Sequence, residues 1–136
     1  MEHLGIGKVF DDGEDVEGGS TVSAVTLRND FLKENPQAAV AINKALIRAY
    51  QDAKKDPDSF YNALATEQMT AEVQRSGYQN DETLSQLDPQ ISDAVVAHLK
   101  DLNSWLFDNK LIPKQVDVSN IYDTSYYEKA VQELDQ

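Results

Sequence analysis

The stretch from Thr21 to Asp56 decides the fold that we predict for this chain. It opens with β-branched and small residues on both faces, which is typical of a strand buried on both sides: Thr21-Val22-Ser23-Ala24-Val25-Thr26-Leu27. Asn29 is suited to cap a short turn that holds Phe31 and Leu32. Asn35-Pro36 then stops this turn and starts a helix, because proline fits the first position of a helix and not its interior.

A long amphipathic helix is predicted after this proline, over about Gln37 to Lys55. Its apolar residues recur at steps of three and four: Ala39, Ile42, Leu46, Ala49, Tyr50 and Ala53. The stretch therefore predicts a buried strand, a sharp turn and a helix that packs back on the sheet.

The rest of the chain predicts more helices. Short ones are expected from Pro57 through Leu64, and around Val73 with an end near Gly77. A second long helix is expected from Gln90 to Asp108, with this apolar stripe: Ile91, Ala94, Val95, His98, Leu102, Trp105 and Leu106. The tail predicts an extended segment at Val118, Ile121 and Tyr122, then a short helix from Thr124. We expect five side chains in the core: Ile42, Leu46, Val95, Leu102 and Trp105.

Length and composition limit the class of protein. The 136 residues are enough for a single domain, 1–136, and the net charge of −12 disfavours nucleic acid and anionic membranes as partners. The chain has no cysteine, so disulfides and thiolate chemistry are excluded. No apolar run approaches the roughly 18 residues that span a bilayer, and the first residues lack the features of a signal peptide.

No motif in the sequence predicts catalysis, a metal site or a cofactor. The acidic loop Asp11–Gly19 lacks the spacing of a calcium loop, so we interpret it as solvated. His3 and His98 have no second ligand at a metal-binding spacing, and His98 fits a structural role better. Trp105 and the pair Tyr126-Tyr127 fit packing against the core better than contact with a substrate. We therefore expect a protein that is not an enzyme.

Several segments, in order, resemble one known family. Ser20 to Leu27 followed by Asn29-Asp30-Phe31-Leu32-Lys33-Glu34-Asn35-Pro36 is similar to the strand and "fl-x-e-n-P" turn of ABC-transporter solute-binding proteins of the nitrate/sulfonate/taurine type. Asp56-Pro57 stands where that family has "n-P". The segment Leu102 to Pro113 resembles the pattern "l-x-x-w-l-x-e-x-g-l-i-p". Val116 to Asp123, with Tyr127 and Ala130, resembles its closing "d-v-s-x-i-y-d-x-x-y-x-x-A".

The resemblance implies a C-terminal portion of a two-lobe protein of the type II periplasmic-binding class. The implied fold class is α/β, and in this chain α-dominated, with two long helices, several short ones and one or two short strands. It implies capture of a small solute outside the cytoplasm, in the periplasm or as a surface lipoprotein, and delivery to a transporter permease. Ser20 and Thr21 would then line the ligand cleft, although ordinary residues at the start of a strand would look the same. Most of the ligand site would lie upstream.

Two other interpretations stay open. The runner-up is a self-standing α-helical module whose apolar stripes bind a protein partner. An acidic hydrolase has less support, since no carboxylate pair can be placed in a pocket from the sequence. For an isolated chain we also expect no tight anion binding, and either self-association through the open strand edge at Thr21 to Leu27 or an exposed apolar face.

Overall fold

All regular elements in the described part of the chain are helical. A computed structural model describes residues 5–8, 23–77, 84–85 and 87–135. Its elements in chain order are α1 (Asn29–Glu34), α2 (Pro36–Lys55), α3 (Pro57–Leu64), α4 (Ala71–Gly77), α5 (Asp93–Asp108), a 3₁₀ helix (Val118–Asn120) and α6 (Ser125–Leu134).

The predicted α/β fold is wrong for these residues. Ser23 to Arg28 precede α1 without forming a strand, and Val25 in this segment is 60% exposed. A strand is stable only beside neighbouring strands, and the described residues contain none to pair with it. The apolar character of the segment was therefore not sufficient to make it a strand. Without a strand, the described part of this stretch offers no strand edge for self-association.

The tail differs from its prediction at one further place. Val118–Asn120 form a turn of 3₁₀ helix, where we expected an extended segment. The cause is local: the Asp117 carboxylate accepts hydrogen bonds from the Ser119 backbone N–H at 3.1 Å and from the Ser119 hydroxyl at 2.6 Å. Such bonds compete with an extended backbone and favour a turn.

The predicted helices after the two prolines are confirmed. Pro36 is at the first turn of α2, and Asp56 marks both the end of α2 and the start of α3. The backbone N–H of Asp56 donates to the Asp52 carbonyl at 2.8 Å, and its carboxylate accepts from the Ser59 N–H at 3.0 Å. One residue thus satisfies a carbonyl at one helix end and an orphan N–H at the next.

The second long helix is confirmed with a later start than predicted. α5 begins at Asp93, because the Ser92 hydroxyl accepts a hydrogen bond from the Val95 N–H at 3.3 Å and caps the helix there. The predicted helices at α4 and α6 are also present, at Ala71–Gly77 and Ser125–Leu134.

Contacts divide the chain into two compact units. The first, which we call the α1–α4 unit, comprises Asn29–Pro89 and Tyr126–Gln136. The second, the α5 unit, comprises Met1–Arg28 and Gln90–Ser125.

The α1–α4 unit contains two small hydrophobic clusters, and α2 contributes to both. The first joins Val40 and Ile47 of α2 to Ala130 of α6, with this ring of half-buried side chains: Tyr126, Tyr127, Val131 and Leu134. The second joins Ala53 of α2 to Tyr61 and Leu84. An ion pair between Lys44 and Glu133 also links α2 to α6.

The predicted core is wrong in its choice of side chains. Five residues that we expected to be buried are only half-buried: Ile42, Leu46, Val95, Leu102 and Trp105. On α2 the residues that are buried instead are Val40, at 2% exposed, and Ile47, at 9%, together with Ala39 and Ala53. Ala39 and Ala53 belong to the apolar stripe that we predicted, and their burial agrees with it. Val40 and Ile47 form a second ridge outside that stripe, and this ridge is buried in a cluster with Ala130 of α6.

Candidate functional site

The two residues predicted to line a ligand cleft, Ser20 and Thr21, lie outside the described residues. The described residues that follow them, Ser23 to Thr26, are exposed. Any site in the described residues therefore lies elsewhere, within the α1–α4 unit or within the α5 unit.

A half-open groove of about 250 Å³ lies within the α1–α4 unit. Its walls come from the C-terminal half of α2, the segment Leu87–Pro89 and α6. The residues that line it are Ile47, Tyr50, Gln51, Lys54, Leu87, Asp88, Pro89, Tyr127, Val131, Leu134 and Asp135. This volume is slightly below the roughly 300 Å³ at which ligand pockets in proteins begin.

The lining combines an apolar part with charges of both signs. Four aliphatic side chains contribute the apolar part: Ile47, Leu87, Val131 and Leu134. Lys54 supplies a cation, whereas Asp88 and Asp135 supply two carboxylates. Because the charges are mixed, the groove has no strong preference for a cation or an anion.

The Tyr127 side chain makes a hydrogen bond within the groove. Its hydroxyl donates to a carboxylate oxygen of Asp88 at 3.3 Å. Partial burial, and then the negative charge and hydrogen bond of Asp88, raise the pKa of Tyr127 above its usual value. A tyrosine with a raised pKa stays neutral near pH 7, so this hydroxyl is a hydrogen-bonding group and is unsuited to serve as a general base.

The described residues also lack the arrangements that would hold a metal ion. No group of three histidine, cysteine, aspartate or glutamate side chains among them is placed to share a metal. The groove is lined by neither histidine nor a serine nucleophile. Its residues can contact a small molecule through apolar packing and hydrogen bonds, and we see no nucleophile and base in reach of each other.

Of the aromatic residues singled out in the sequence, the two adjacent tyrosines pack on the core. Tyr126 and Tyr127 pack against the cluster of Val40, Ile47 and Ala130, which confirms that they dock on the core. His98 and Trp105 are half-buried on α5, a helix without a fully buried residue.

One residue with an unusual backbone was missed in the sequence. Lys110, just after α5, has a φ of 60°, and it is the single non-glycine residue with a positive φ in the described ranges. Its N–H donates to the Phe107 carbonyl and the N–H of Leu111 donates to the Leu106 carbonyl, both at 2.9 Å. These two bonds form the Schellman motif, in which the residue at this position is usually glycine. Because the residue at this position is lysine and not glycine, the sequence did not indicate a positive φ here.

Asn103 is a second residue that the sequence did not single out. Its side-chain amide donates to the Val116 carbonyl, and its side-chain oxygen accepts from the Val116 N–H, each at 3.0 Å. This pair fixes the segment after α5 against the helix.

Comparison of the chain with protein-family models, with curated proteins and with solved structures finds no match in any of the three. In the described residues, no helix is both long and apolar enough to cross a membrane.

Proposed function

We propose that this chain is a portion of the substrate-binding component of an ABC importer, which captures a small anion or organic solute of the nitrate, sulfonate or taurine type. The observation that carries the proposal is the backbone of Lys110. The pattern that Leu102 to Pro113 resembles has glycine at the position of Lys110, and this residue has the φ of 60° that favours glycine. The sequence likeness and the backbone thus agree at one position.

The helix boundaries give further support. Asn35-Pro36 and Asp56-Pro57, which resemble "n-P" positions of the family, lie at the starts of α2 and α3. A proline at the start of a helix is common in proteins, so these two positions add less weight than Lys110 does.

The exposed apolar side chains of the α5 unit support the proposal that this chain is a portion of a longer protein. Among its described residues Val118 alone is buried, whereas several large apolar side chains are exposed by more than 40%: Ile6, Val25, Phe107, Leu111, Val116 and Ile121. An apolar surface of this kind is typical of a contact with further protein. In the proposed importer component, the remainder of the polypeptide would cover it.

Under this proposal the protein acts outside the cytoplasm, delivers its solute to a transporter permease and carries out no catalysis. Ser20 and Thr21 remain the residues that we propose for ligand contact.

The exposed apolar residues of the α5 unit also favour a second candidate, a self-standing α-helical module that binds a protein partner. The two candidates differ in the size of the native polypeptide. A tag inserted in frame at an exposed position of this chain, at the chromosomal locus, followed by immunoblotting, should show a protein about twice 15.2 kDa or larger if the chain is a portion. A band at the size of this chain would contradict the first candidate and favour the module.

Solute binding is tested on the polypeptide that the tagged locus produces. We expect calorimetric titration to show binding of nitrate, taurine or a short alkanesulfonate, and a Ser20→Ala/Thr21→Ala variant to weaken it at least tenfold. Ser23→Ala is the matched control, since it removes a hydroxyl from an exposed residue of the same segment. If no solute binds, the proposed activity is wrong. If Ser23→Ala weakens solute binding equally, Ser20 and Thr21 do not contact the solute specifically.

A further inference from the structure

The groove of the α1–α4 unit has an apolar floor and a charged rim. Ile47 is buried, and three further apolar side chains that line the groove are half-buried: Leu87, Val131 and Leu134. The charged side chains of the same lining are exposed: Lys54, Asp88 and Asp135. Small-molecule sites combine the same two parts, an apolar surface that packs on the ligand and a few polar groups that orient it.

The rim carries charges of both signs, which come from separate segments. Lys54 is in the last turn of α2, and Asp135 directly follows α6. Asp88, the second carboxylate, accepts the hydrogen bond from Tyr127. Within the part of the chain that the structure describes, the side chains of Lys54 and Asp135 form no ion pair, so both charges are available to a ligand.

A ligand with a single charge matches this rim poorly. Lys54 repels a cation, the two carboxylates repel an anion, and a neutral apolar molecule uses none of the charges. The net charge of −12 on the whole chain also repels anions. A zwitterion offers one group to each sign and has no net charge, so it is the class of ligand that suits the rim.

The size of the groove limits the ligand to a small molecule. A group of the size of a water molecule takes roughly 30 Å³. The groove of about 250 Å³ therefore holds about eight such groups. An amino acid with an aliphatic part of about five carbon atoms has this size.

We propose that this groove binds an amino acid with an aliphatic body, a small zwitterion whose carboxylate pairs with Lys54 and whose ammonium pairs with Asp88 or Asp135. Its aliphatic part lies on the apolar floor, where its burial removes both surfaces from water. The hydroxyl of Tyr127 is already bonded to Asp88 and keeps this carboxylate at the rim.

The two carboxylates of the rim are far apart, so they suit different spacings of the ligand charges. Tyr127, the partner of Asp88, is about two turns before Asp135 on α6, which is roughly 11 Å along the helix axis. An α-amino acid carries both charges on one carbon, whereas an ω-amino acid carries them at its two ends. Titration with one ligand of each kind distinguishes the two.

The groove does not depend on the proposed function. Ser20 and Thr21, the residues proposed for contact with the transported solute, do not belong to the lining of the groove. Either site can therefore be absent while the other is present, and separate variants distinguish the two outcomes.

The test is calorimetric titration of the polypeptide that the tagged locus produces, with leucine and with ε-aminohexanoate. One of the two should bind with a dissociation constant below about 1 mM, as expected for a ligand of this size. Four matched compounds lack one charge: isoamylamine and isocaproate for leucine, hexylamine and hexanoate for ε-aminohexanoate. Each should bind at least tenfold more weakly than its parent amino acid. Absence of binding by both amino acids, or equal binding of a singly charged compound, would overturn the proposal.

Variants of the rim locate the ligand charges. Lys54→Gln should weaken binding of the amino acid at least tenfold, and so should Asp88→Asn or Asp135→Asn, whichever carboxylate takes the ammonium. Lys55→Gln and Asp52→Asn are the matched controls, since both residues are exposed on α2 and do not line the groove. Circular dichroism establishes that the variants keep their helices. Equal weakening by the controls would contradict a site in the groove.

Two further measurements separate pairing at the rim from a structural effect. Lys54→Gln should bind the matched amine more tightly than the wild type does, because the repulsion between Lys54 and the ammonium is gone. A loss of affinity for the amine would show that Lys54 acts only through the structure. Ser20→Ala/Thr21→Ala should leave the affinity for the amino acid unchanged, and a tenfold loss there would assign the binding to the other site.

Discussion

The side-chain amide of Asn103 pairs with the backbone of Val116 in both directions, with two hydrogen bonds of 3.0 Å. The carboxamide acts as a substitute for a neighbouring strand, since it offers one donor and one acceptor to a segment without regular structure. Thirteen residues separate the two partners, so the pair closes the loop that follows α5.

Replacing Asn103 should therefore release this loop. We expect Asn103→Ala to lower the free energy of unfolding by about 1 kcal/mol, since the two lost bonds are partly replaced by water. Asn103→Asp keeps the acceptor for the Val116 N–H but places a carboxylate oxygen against the Val116 carbonyl, so it should not restore the lost stability. The measurement is urea denaturation followed by circular dichroism, with Asp101→Ala, at an exposed position of α5, as control. Equal losses for Asn103→Ala and the control would show that the pair adds no stability.

Lys110 offers a stabilising substitution. Lys110→Gly should raise the free energy of unfolding by about 1 kcal/mol, because a residue with a side chain is strained at positive φ and glycine is not. Lys114→Gly removes the same charge from an exposed residue whose φ is not positive, and it should leave stability unchanged or slightly lower it. Thermal unfolding compares the two variants. If Lys110→Gly lowers the stability as Lys114→Gly does, the result would contradict a left-handed backbone at Lys110.

The buried ridge of α2 can be identified by two neighbouring substitutions. Ile47→Ala should cost about 2 to 5 kcal/mol, because Ile47 is in the cluster with Val40 and Ala130. Leu46→Ala should cost less than about 2 kcal/mol, because Leu46 is half-buried. Urea denaturation of both variants gives the comparison. If Leu46→Ala lowers the free energy of unfolding more than Ile47→Ala does, the core includes Leu46, as the sequence predicted.

Because Tyr127 is bonded to Asp88 and has a raised pKa, we expect the protein to become less stable at alkaline pH. The pKa of Tyr127 is raised in the folded state, so the unfolded chain loses its proton first as pH increases. Stability should therefore fall from about pH 10 up to the folded pKa, and Tyr127→Phe should reduce this fall. The measurement is urea denaturation at several pH values, with tyrosinate absorbance compared between the wild type and Tyr127→Phe.

Substituting Asp88 separates the effect of burial on the pKa of Tyr127 from the effect of the Asp88 carboxylate. Asp88→Asn should lower the pKa of Tyr127 only in part, since burial is the larger cause and remains. Asp135→Asn removes another carboxylate of the same groove that does not contribute to the shift, and it should leave the pKa of Tyr127 in place. An equal effect of both variants would mean that the general charge of the groove sets the pKa and that the hydrogen bond does not.

Helix positions could be predicted from the sequence because their signals are local. Pro36, Pro57 and Asp56 fix helix ends through bonds within a few residues. The strand predicted at Thr21 to Leu27 could not be decided in this way, since strand pairing needs a partner distant in the sequence. The choice between Leu46 and Ile47 for the core depends on Ala130 of another helix, and an apolar stripe does not encode that choice.

The candidate site was harder to predict than the helices. The prediction of Ser20 and Thr21 rested on the resemblance alone, whereas the groove joins three segments that no pattern in the sequence brings together. The bond from Tyr127 to Asp88 spans 39 residues, and neither residue has a spacing that signals the other. Lys110 would have been identifiable only from the glycine in the pattern that it interrupts.

Both hydrophobic clusters include residues of α2, so this helix couples the local unfolding of one cluster to that of the other. Val40 and Ile47 are in one cluster and Ala53 is in the other, on a continuous helix of 20 residues, about 30 Å long. Melting the helix around either cluster also removes backbone bonds that hold its neighbour. The amide hydrogens of α2 should therefore exchange with one common free energy of opening from Val40 to Ala53, as a single cooperative segment.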